Sequence, residues 1–529
     1  MPLVIIESPN KIKKLKSILG SNFDVVATVG HFMRLSKKDL GFDKENFNPV
    51  YEVAPKKKDV VRNIKLFAKK HKEIYIATDP DREGEAIGKH IQDLLPKRGK
   101  KVYRVKFNAI TKESVKKAMK APGVVDENLY LAQMARRITD RIVGYKISPV
   151  MWKKGMANTS AGRVQSVALK FISEREKEVR AFSPEEYWSI DCNFKEGFSA
   201  KLKKVNGKDP NIKNKKDCKD LVEKIKKSAS SSVALYKTTR TRVSPKPPFT
   251  TSTLQQEASN KLSWPSKKTM NVAQSIFSNG LITYHRTDSL RVEDEKIKDV
   301  RTRIDSRYGN KYLSSSKRAY ANKDASQDAH EAIRPTYEPV PNTISSDEKK
   351  LLRLITSRFE ASQMSDAEYD RVSAKVLFKD GKDKYEFGLS GSTLIFDGFL
   401  KVYGNKSADV LIPVLKKGQI VNFNKFIQNQ HFTKAPPRYT DASIIKLLEK
   451  EGVGRPSTYS SIIETLVDRK YILRKKKTLS STETGIMISD FLSDKFEEIT
   501  NSEFTSNMEK TLDDISKGQK PYSPIMKSF

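Results

Sequence analysis

The sequence predicts a multidomain protein, with an α/β domain at the N terminus and separate helical and β-rich parts after it. Three observations carry that prediction. Strand-like and helix-like patterns alternate through roughly the first 125 residues, helical periodicity takes over from Leu129, and two later stretches, 187–242 and 369–426, alternate polar and apolar positions between Gly, Ser and Asn breaks. At roughly 150 residues per domain, a chain of 529 makes three or four domains, and 37% hydrophobic residues is enough for real cores.

The first element is the all-apolar run LVII, read as a buried strand with Glu7 at its end. Ser8-Pro9 then opens a helix, with Ser8 as cap and Pro9 at the first position, where a proline sacrifices no hydrogen bond. Lys11 falls in that helix's first turn. A second βα unit lies in IYIATDPDREGEAI, where residues 74–77 read as a strand, 84–94 read as a helix, and Asp79, Asp81 and Glu83 occupy alternate positions between them. The carboxyl end of a strand is where ligands sit in open α/β sheets. Hard cations such as Mg²⁺ take oxygen ligands and keep several waters, so two or three carboxylates beside a substrate phosphate suffice to hold one. If the two strands neighbour each other in one parallel sheet, Glu7, Lys11 and the three acids converge on one edge. Taken separately they have plainer readings: a solvated acidic turn, and a carboxylate favoured by the dipole of a helix start.

The α/β pattern ends near the turn Ala121-Pro122-Gly123. Residues 129–143, carrying ARRITDR, and 164–179 read as amphipathic helices. The alternating stretch 187–242 reads as part of an extended β-rich arm, and Pro245, Pro247 and Pro248 in VSPKPPFT mark a linker. Residues 253–279 are helical again, and 369–426 return to alternation, which suggests one β domain built from two chain segments. From Asp441 onward the pattern is helical, with 474–477 read as a solvated lysine-rich loop.

Composition points to the partner. Lys and Arg total 100 against 64 Asp and Glu, leaving a formal charge of +36 and a pI near 9.8, with the excess spread along the whole chain. That distribution fits a groove tracking a polyanion backbone, with binding that weakens steeply with salt. No apolar run approaches the roughly 18 residues of a membrane span, and the first apolar stretch stops at Glu7, too short for a signal peptide. A soluble, intracellular protein is expected. Cys192 and Cys218 lack CxxC spacing, which excludes a disulfide scaffold and a cysteine zinc ribbon.

In LITYHRTDSLRV, Tyr284 and Arg286 are two apart and share a face if the segment is extended. A tyrosine hydroxyl, with a pKa of about 10, attacks a phosphodiester only where positive charge favours the phenolate and the charge developing on phosphorus. Any one of 19 tyrosines is otherwise an ordinary core or surface residue.

Taken together, IIESPNKIKKL, DPDREGEAI, ARRITDRIVGYKISP, SAGRVQS, LITYHRTDS, QDAHEAIRPT and EGVGRPSTYSSII resemble the motifs of the type IA DNA topoisomerases, in the family's order and over essentially the whole chain. DREGEAI and YHRTDS resemble the topoisomerase I branch more than the topoisomerase III branch. The resemblance implies a Toprim (Rossmann-like) domain within a four-domain torus: Toprim 1–125, a helical DNA-binding domain from 126–184 and 435–529, a β-rich hinge or arm from 185–243 and 369–434, and a helical domain 244–368 carrying the tyrosine. It implies that Tyr284 attacks a single-strand phosphodiester to give a 5′-phosphotyrosine and a free 3′-hydroxyl. Another strand passes before religation, so negative supercoils relax without a nucleotide. No Walker A pattern occurs in the sequence.

Combining the motif match with chemistry gives each residue a role. Glu7 protonates the leaving 3′-oxygen, which requires a raised pKa. Asp79, Asp81 and Glu83, with Glu7 beside them, hold Mg²⁺, while Lys11 and Arg286 neutralise the phosphate. His330 resembles the family's histidine near the cleavage site, where a neutral-pH hydrogen-bond switch is useful; a packed structural histidine is the other reading. Single-strand binding falls to Arg136, Asp140, Arg163, Gln165, Arg455, Ser457 and Thr458. The plainer readings are an i,i+4 pair between Arg136 and Asp140, and Ser457 or Thr458 as a helix cap. His285, less typical of the motif, is expected to point away from Tyr284. The family's zinc-ribbon repeats do not follow MEKTLDDISKG, which leaves the catalytic torus whole and bears on grip of the single strand.

The expected partner is a single-stranded segment of negatively supercoiled DNA, bound by a monomer with no membrane and no nucleotide cofactor, in the cytoplasm or nucleoid or in a viral replication compartment. A topoisomerase III-like decatenase, a Toprim primase or nuclease, and a non-catalytic single-strand-binding architectural protein are the alternatives. The first is opposed by the two branch-typical motifs, the second by the Tyr284-Arg286 segment, and the third by the intact reactive residues.

Overall fold

The computed structural model describes residues 1–96, 98–228, 230–322, 330–404 and 409–529. At the N terminus the strands Asp24–Ala27, Leu3–Ile6, Glu73–Ile76 and Lys101–Arg104 lie side by side in that order as a parallel sheet. Leu3 pairs with Ile74 and Ile5 with Ile76, so the two strands that precede Glu7 and Asp79 are neighbours and end together. The sheet is covered on both faces, which is why the central strand Leu3–Ile6 is apolar throughout. Leu3 and Ile5 join a core with Ile64, Ile87 and Ile91 of the flanking helices, whereas Val4 and Ile6 face the other way. That second face is continuous with the core around Phe277, Ile282 and Tyr284, so the α/β domain and the tyrosine-bearing helices share one apolar seam.

The helices Glu127–Lys153 and Arg163–Ala181 pack with Asp441–Lys450, Tyr459–Asp468 and Glu483–Lys495 around a core that includes Ile147, Val167, Ile172, Ile445, Ile463 and Ile488. Two chain segments separated by more than two hundred residues thus build one helical body. The β-rich part is a six-stranded antiparallel sheet in the order Phe423–Phe432, Glu186–Phe194, Ser199–Val205, Asp383–Phe396, Ala367–Asp380 and Ser230–Val243. It too draws on two segments.

Three details depart from the sequence expectation. The helical run 253–279 is two helices, Thr251–Leu262 and Ser266–Ser278, because Ser263 adopts φ +59° and Pro265 cannot continue the first. The β-rich part contains a helix, Lys215–Lys226, whose lysines masked an apolar stripe of Cys218, Val222 and Ile225. Residues 474–477 belong to a hairpin between Ile472–Lys475 and Thr478–Ser481, and Arg474 is tied to Asp441 at 3.1 Å and Glu464 at 2.7 Å instead of lying in solvent. Among the described residues no helix is long and apolar enough to cross a membrane.

Candidate active site

The site forms where the parallel strands run out. After Leu3–Ile6 the chain passes Glu7 and turns at Pro9–Lys11, a short 3₁₀ turn. Pro9 takes the expected first position, but Ser8 makes no side-chain cap bond, and Lys11 belongs to the turn and not to the helix Ile12–Leu19 after it. Lys11 is only 1% exposed. A buried ammonium needs a partner, and Lys11 has two: an ion pair with Asp79, and the Phe277 ring, whose centroid lies 4.7 Å from its Nζ.

The acidic loop is held from below and capped from above. Asp81 is the N-cap of the helix Arg82–Leu94, accepting from the Gly84 N–H at 2.7 Å. Gly84 is required there, because a Cβ at this position would sit 2.1 Å from the Asp79 carbonyl oxygen. Arg104, at the end of its own strand, donates to the Thr78 and Asp79 carbonyls at 2.9 Å each and to Glu85 at 3.0 Å. Sequence reasoning missed Arg104 and Glu85. The available signal was a charged residue closing a strand of the same sheet, as Glu7 does.

Tyr284 comes to this loop from 203 residues away, its hydroxyl donating to Asp81 Oδ2 at 2.6 Å. Its backbone N–H donates to the Asn108 carbonyl at 2.7 Å, and Ala109 and Thr283 form an isolated antiparallel bridge. Arg286 Nη1 lies 3.5 Å from the same Asp81 oxygen, so Tyr284 and Arg286 do share a face. The rings of Phe277, His285 and His330 surround the phenol at centroid distances of 5.2, 5.3 and 5.6 Å. His285 therefore does not point away: the segment carries isolated bridges instead of a regular strand, and its ring packs edge-on to Tyr284. His330 Nε2 is 2.6 Å from the Pro80 carbonyl, while its Nδ1 is buried with no hydrogen-bond partner among the described residues. Of the motif QDAHEAIRPT, Gln327, Asp328 and Ala329 lie outside the described residues.

The environment separates the site's acids. Burial, followed by the charges of Asp79 and Asp81, pushes the Glu7 carboxyl up to about 8, against the pull of Lys11 and Arg286. Burial pushes Asp81 the same way, but Arg286, the Tyr284 hydroxyl and the Gly84 N–H outweigh it and hold Asp81 below the usual carboxylate range. Burial and Asp81 keep the Tyr284 phenol well above its ordinary value, opposed by Arg286. For Glu83, burial is outweighed by His31, whose Nε2 is 2.7 Å away; Gln133 donates to the same oxygen at 3.1 Å.

For a divalent cation the donor set is chemically suitable: hard oxygens at the end of adjacent strands, crowded enough that Asp79 and Asp81 destabilise an ionised Glu7. Among the described residues these carboxylates do not converge on one point as a ready shell. Asp79 is turned to Lys11, Asp81 to Tyr284, and Glu83 to His31 and Gln133.

The other predicted residues divide between two clefts. Arg136, Arg455 and Ser457 line the cleft that also exposes Asp81, Glu83 and Arg286. Asp140 and Gln165 line a neighbouring groove with Tyr145 and Trp152, which are 48% and 50% exposed and were missed by sequence reasoning, although the helix pattern YKISPVMW contains them. Arg163 is 1% exposed, bonded to Asp140 at 3.3 Å and Glu509 at 2.8 Å. Arg136 pairs with Glu509 and not with Asp140. Thr458 does not cap the next helix through its side chain; its hydroxyl accepts from the Arg455 N–H at 2.8 Å and closes the loop on that arginine.

Residues 2–110 match the Toprim domain, and residues 124–527 match the DNA topoisomerase family. The chain is similar to the crystal structure of full-length topoisomerase I from Thermotoga maritima, with 36% sequence identity and a TM-score of 0.87, over 99% of this chain and 88% of that one.

Proposed function

The chain belongs to the type IA DNA topoisomerases of the bacterial kind and is an ATP-independent isomerase acting on DNA; within that family we propose the following division of labour at its active site. The observation that carries it is the hydrogen bond between the Tyr284 hydroxyl and Asp81, which joins the tyrosine of LITYHRTDS to the Toprim acids. Tyr284 attacks the scissile phosphodiester. The O–P bond to tyrosine forms, the P–O3′ bond breaks, the phenol proton passes to Asp81, and Glu7 gives its proton to the departing 3′-oxygen. Lys11 and Arg286 stabilise the phosphoryl charge, and His330 packs against the nucleophile.

The Toprim domain is a divalent-metal-binding module. Our reading is that Asp79, Asp81 and Glu83, with Glu7 beside them, would hold Mg²⁺, which would relieve the carboxylate crowding. When bound, the ion supplies positive charge that orients the 3′-hydroxyl and the phosphate for resealing. A single strand enters through the cleft lined by Arg136, Arg455 and Ser457 and continues along the Asp140 and Gln165 groove, where Tyr145 and Trp152 offer faces for unpaired bases. The two DNA ends are then held on opposite sides of the seam between the Toprim domain and the tyrosine-bearing helices, and parting that seam opens the gap for strand passage. We read the protein as a monomer that needs no nucleotide, acting on negatively supercoiled DNA in a nucleoid or a viral replication compartment. A decatenating role has no observation in its favour.

The test is relaxation of negatively supercoiled plasmid with Mg²⁺ and no nucleotide, for the protein and for Tyr284→Phe. Relaxation that requires Mg²⁺ and disappears in the variant is expected. Relaxation that survives Tyr284→Phe would remove the tyrosine from its role.

A further inference from the structure

We infer that Glu509 and Asp513, two buried carboxylates one turn apart on the helix Ser502–Ser516, are positioning residues that aim the strand-binding arginines into the cleavage cleft. The inference rests on the reading of that cleft as a single-strand site. Four arginines from four separate stretches meet these acids. Glu509 accepts from Arg136 through one oxygen at 2.5 Å and from Arg163 through the other at 2.8 Å. Asp513 accepts from Arg82 at 2.5 Å through one oxygen, and from Arg455 Nε and Nη2 at 3.0 and 2.7 Å through the other. Each carboxylate oxygen takes a different guanidinium, so the direction of each bond sets the plane of each fork.

Without the acids, four like charges at such close quarters repel and turn outward. With them, three arginines keep donors in reserve: Arg82 Nε, Arg136 Nε and Arg163 Nη1 are buried and have no hydrogen-bond partner among the described residues. Arg82, Arg136 and Arg455 line the cleft. The four guanidiniums face Glu509, Asp513 and Asp140, which leaves one positive charge over to attract a phosphodiester. Glu509 itself is 1% exposed, so a phosphate cannot take its place unless the helix moves. It is therefore a permanent support and not a stand-in for DNA. Burial works against its charge, but Arg136, Arg163 and Arg455 hold its pKa at about 2, so it stays ionised at any working pH.

The test is a double-mutant cycle read by equilibrium binding of a labelled single-stranded oligonucleotide, with circular dichroism and thermal melting on every variant. Glu509→Gln is expected to weaken binding about tenfold, and in an Arg136→Gln background to add less than about twofold, because the acid acts through the arginine. A merely structural role predicts independent losses that multiply. Unchanged or tighter binding in Glu509→Gln, or multiplying losses, would overturn the inference. If Glu509→Gln does not fold, the parallel cycle of Asp513→Asn with Arg455→Gln decides the same question by the same criteria. Failure of the unaltered protein to bind the oligonucleotide or form a covalent adduct would instead fault the reading of the cleft.

Discussion

At the residue scale, one low-dielectric site holds a proton on one carboxyl and withholds it from another, which is how a fold runs acid and base chemistry at the same pH. Glu7 has no cation strong enough to offset burial and two acidic neighbours, and rises to about 8; Asp81, under comparable burial, is held low by Arg286, Tyr284 and Gly84. Strand cleavage, scored as oligonucleotide cut and trapped by denaturant, is therefore expected to fall as pH rises through about 8, where Glu7 loses its proton. Glu7→Gln should lose both that dependence and on the order of a hundredfold or more in rate. The linkage has the same sign: a folded-state value above the ordinary 4.5 makes the protonated form a stabilising one, an advantage complete below about 4.5 and lost as pH climbs through about 8. A cleavage profile that is flat across that window would sink the assignment. The reactive residues were legible in the sequence because the chemistry restricts residue type: a tyrosine beside an arginine, and acids at a strand end. Their holders were not. Arg104, Glu509 and Asp513 take partners up to 431 residues away, and no spacing in the chain foretells such a pair.

At the element scale, the site depends on how tightly the helix Arg82–Leu94 closes on the strand before it. Gly84 lets the helix start within contact of the Asp79 carbonyl, and Arg104 ties the same loop to the next strand. Gly84→Ala places a methyl 2.1 Å from that carbonyl oxygen, a backbone atom that cannot swing aside. The expected result is a loss of about 1–3 kcal/mol in stability from overpacking, together with a much larger loss of relaxation, because the shift falls on the catalytic carboxylates. Thermal melting and a relaxation time course check it, and a variant of ordinary activity would show that the loop has more slack than its contacts suggest. Long amphipathic helices and the apolar parallel strands were readable because their periodicity reports burial directly. The helix Lys215–Lys226 was not, since three apolar residues among lysines make a weak stripe, and the hairpin around 475–478 was hidden by a run of like charge whose partners, Asp441 and Glu464, lie elsewhere.

At the scale of the whole molecule, a formal charge of +36 spread along the chain makes single-strand affinity a matter of counterion release. The logarithm of the binding constant should fall linearly with the logarithm of salt concentration, with a slope of about −0.7 for each phosphate neutralised, and a slope near zero would rule out backbone tracking. In the division we propose, 1–125, 126–184 with 435–529, 185–243 with 369–434, and 244–368, the two two-segment domains each have a core drawn from distant segments, whereas a third core runs across the boundary between 1–125 and 244–368. The sequence carried that pairing only as matching periodicity on both sides of an insertion, and it held no sign that the Toprim sheet and the tyrosine-bearing helices would fuse into one seam. That seam is what the chemistry must load and part. The first experiment is therefore to trap the cleavage intermediate on an internally labelled single-stranded oligonucleotide and map the modified peptide by mass spectrometry. A single adduct on Tyr284 through the 5′-phosphate, absent in Tyr284→Phe, is the expected result; an adduct on another residue, or one carried by the 3′ end, would overturn the assignment of the nucleophile and with it the proposed mechanism.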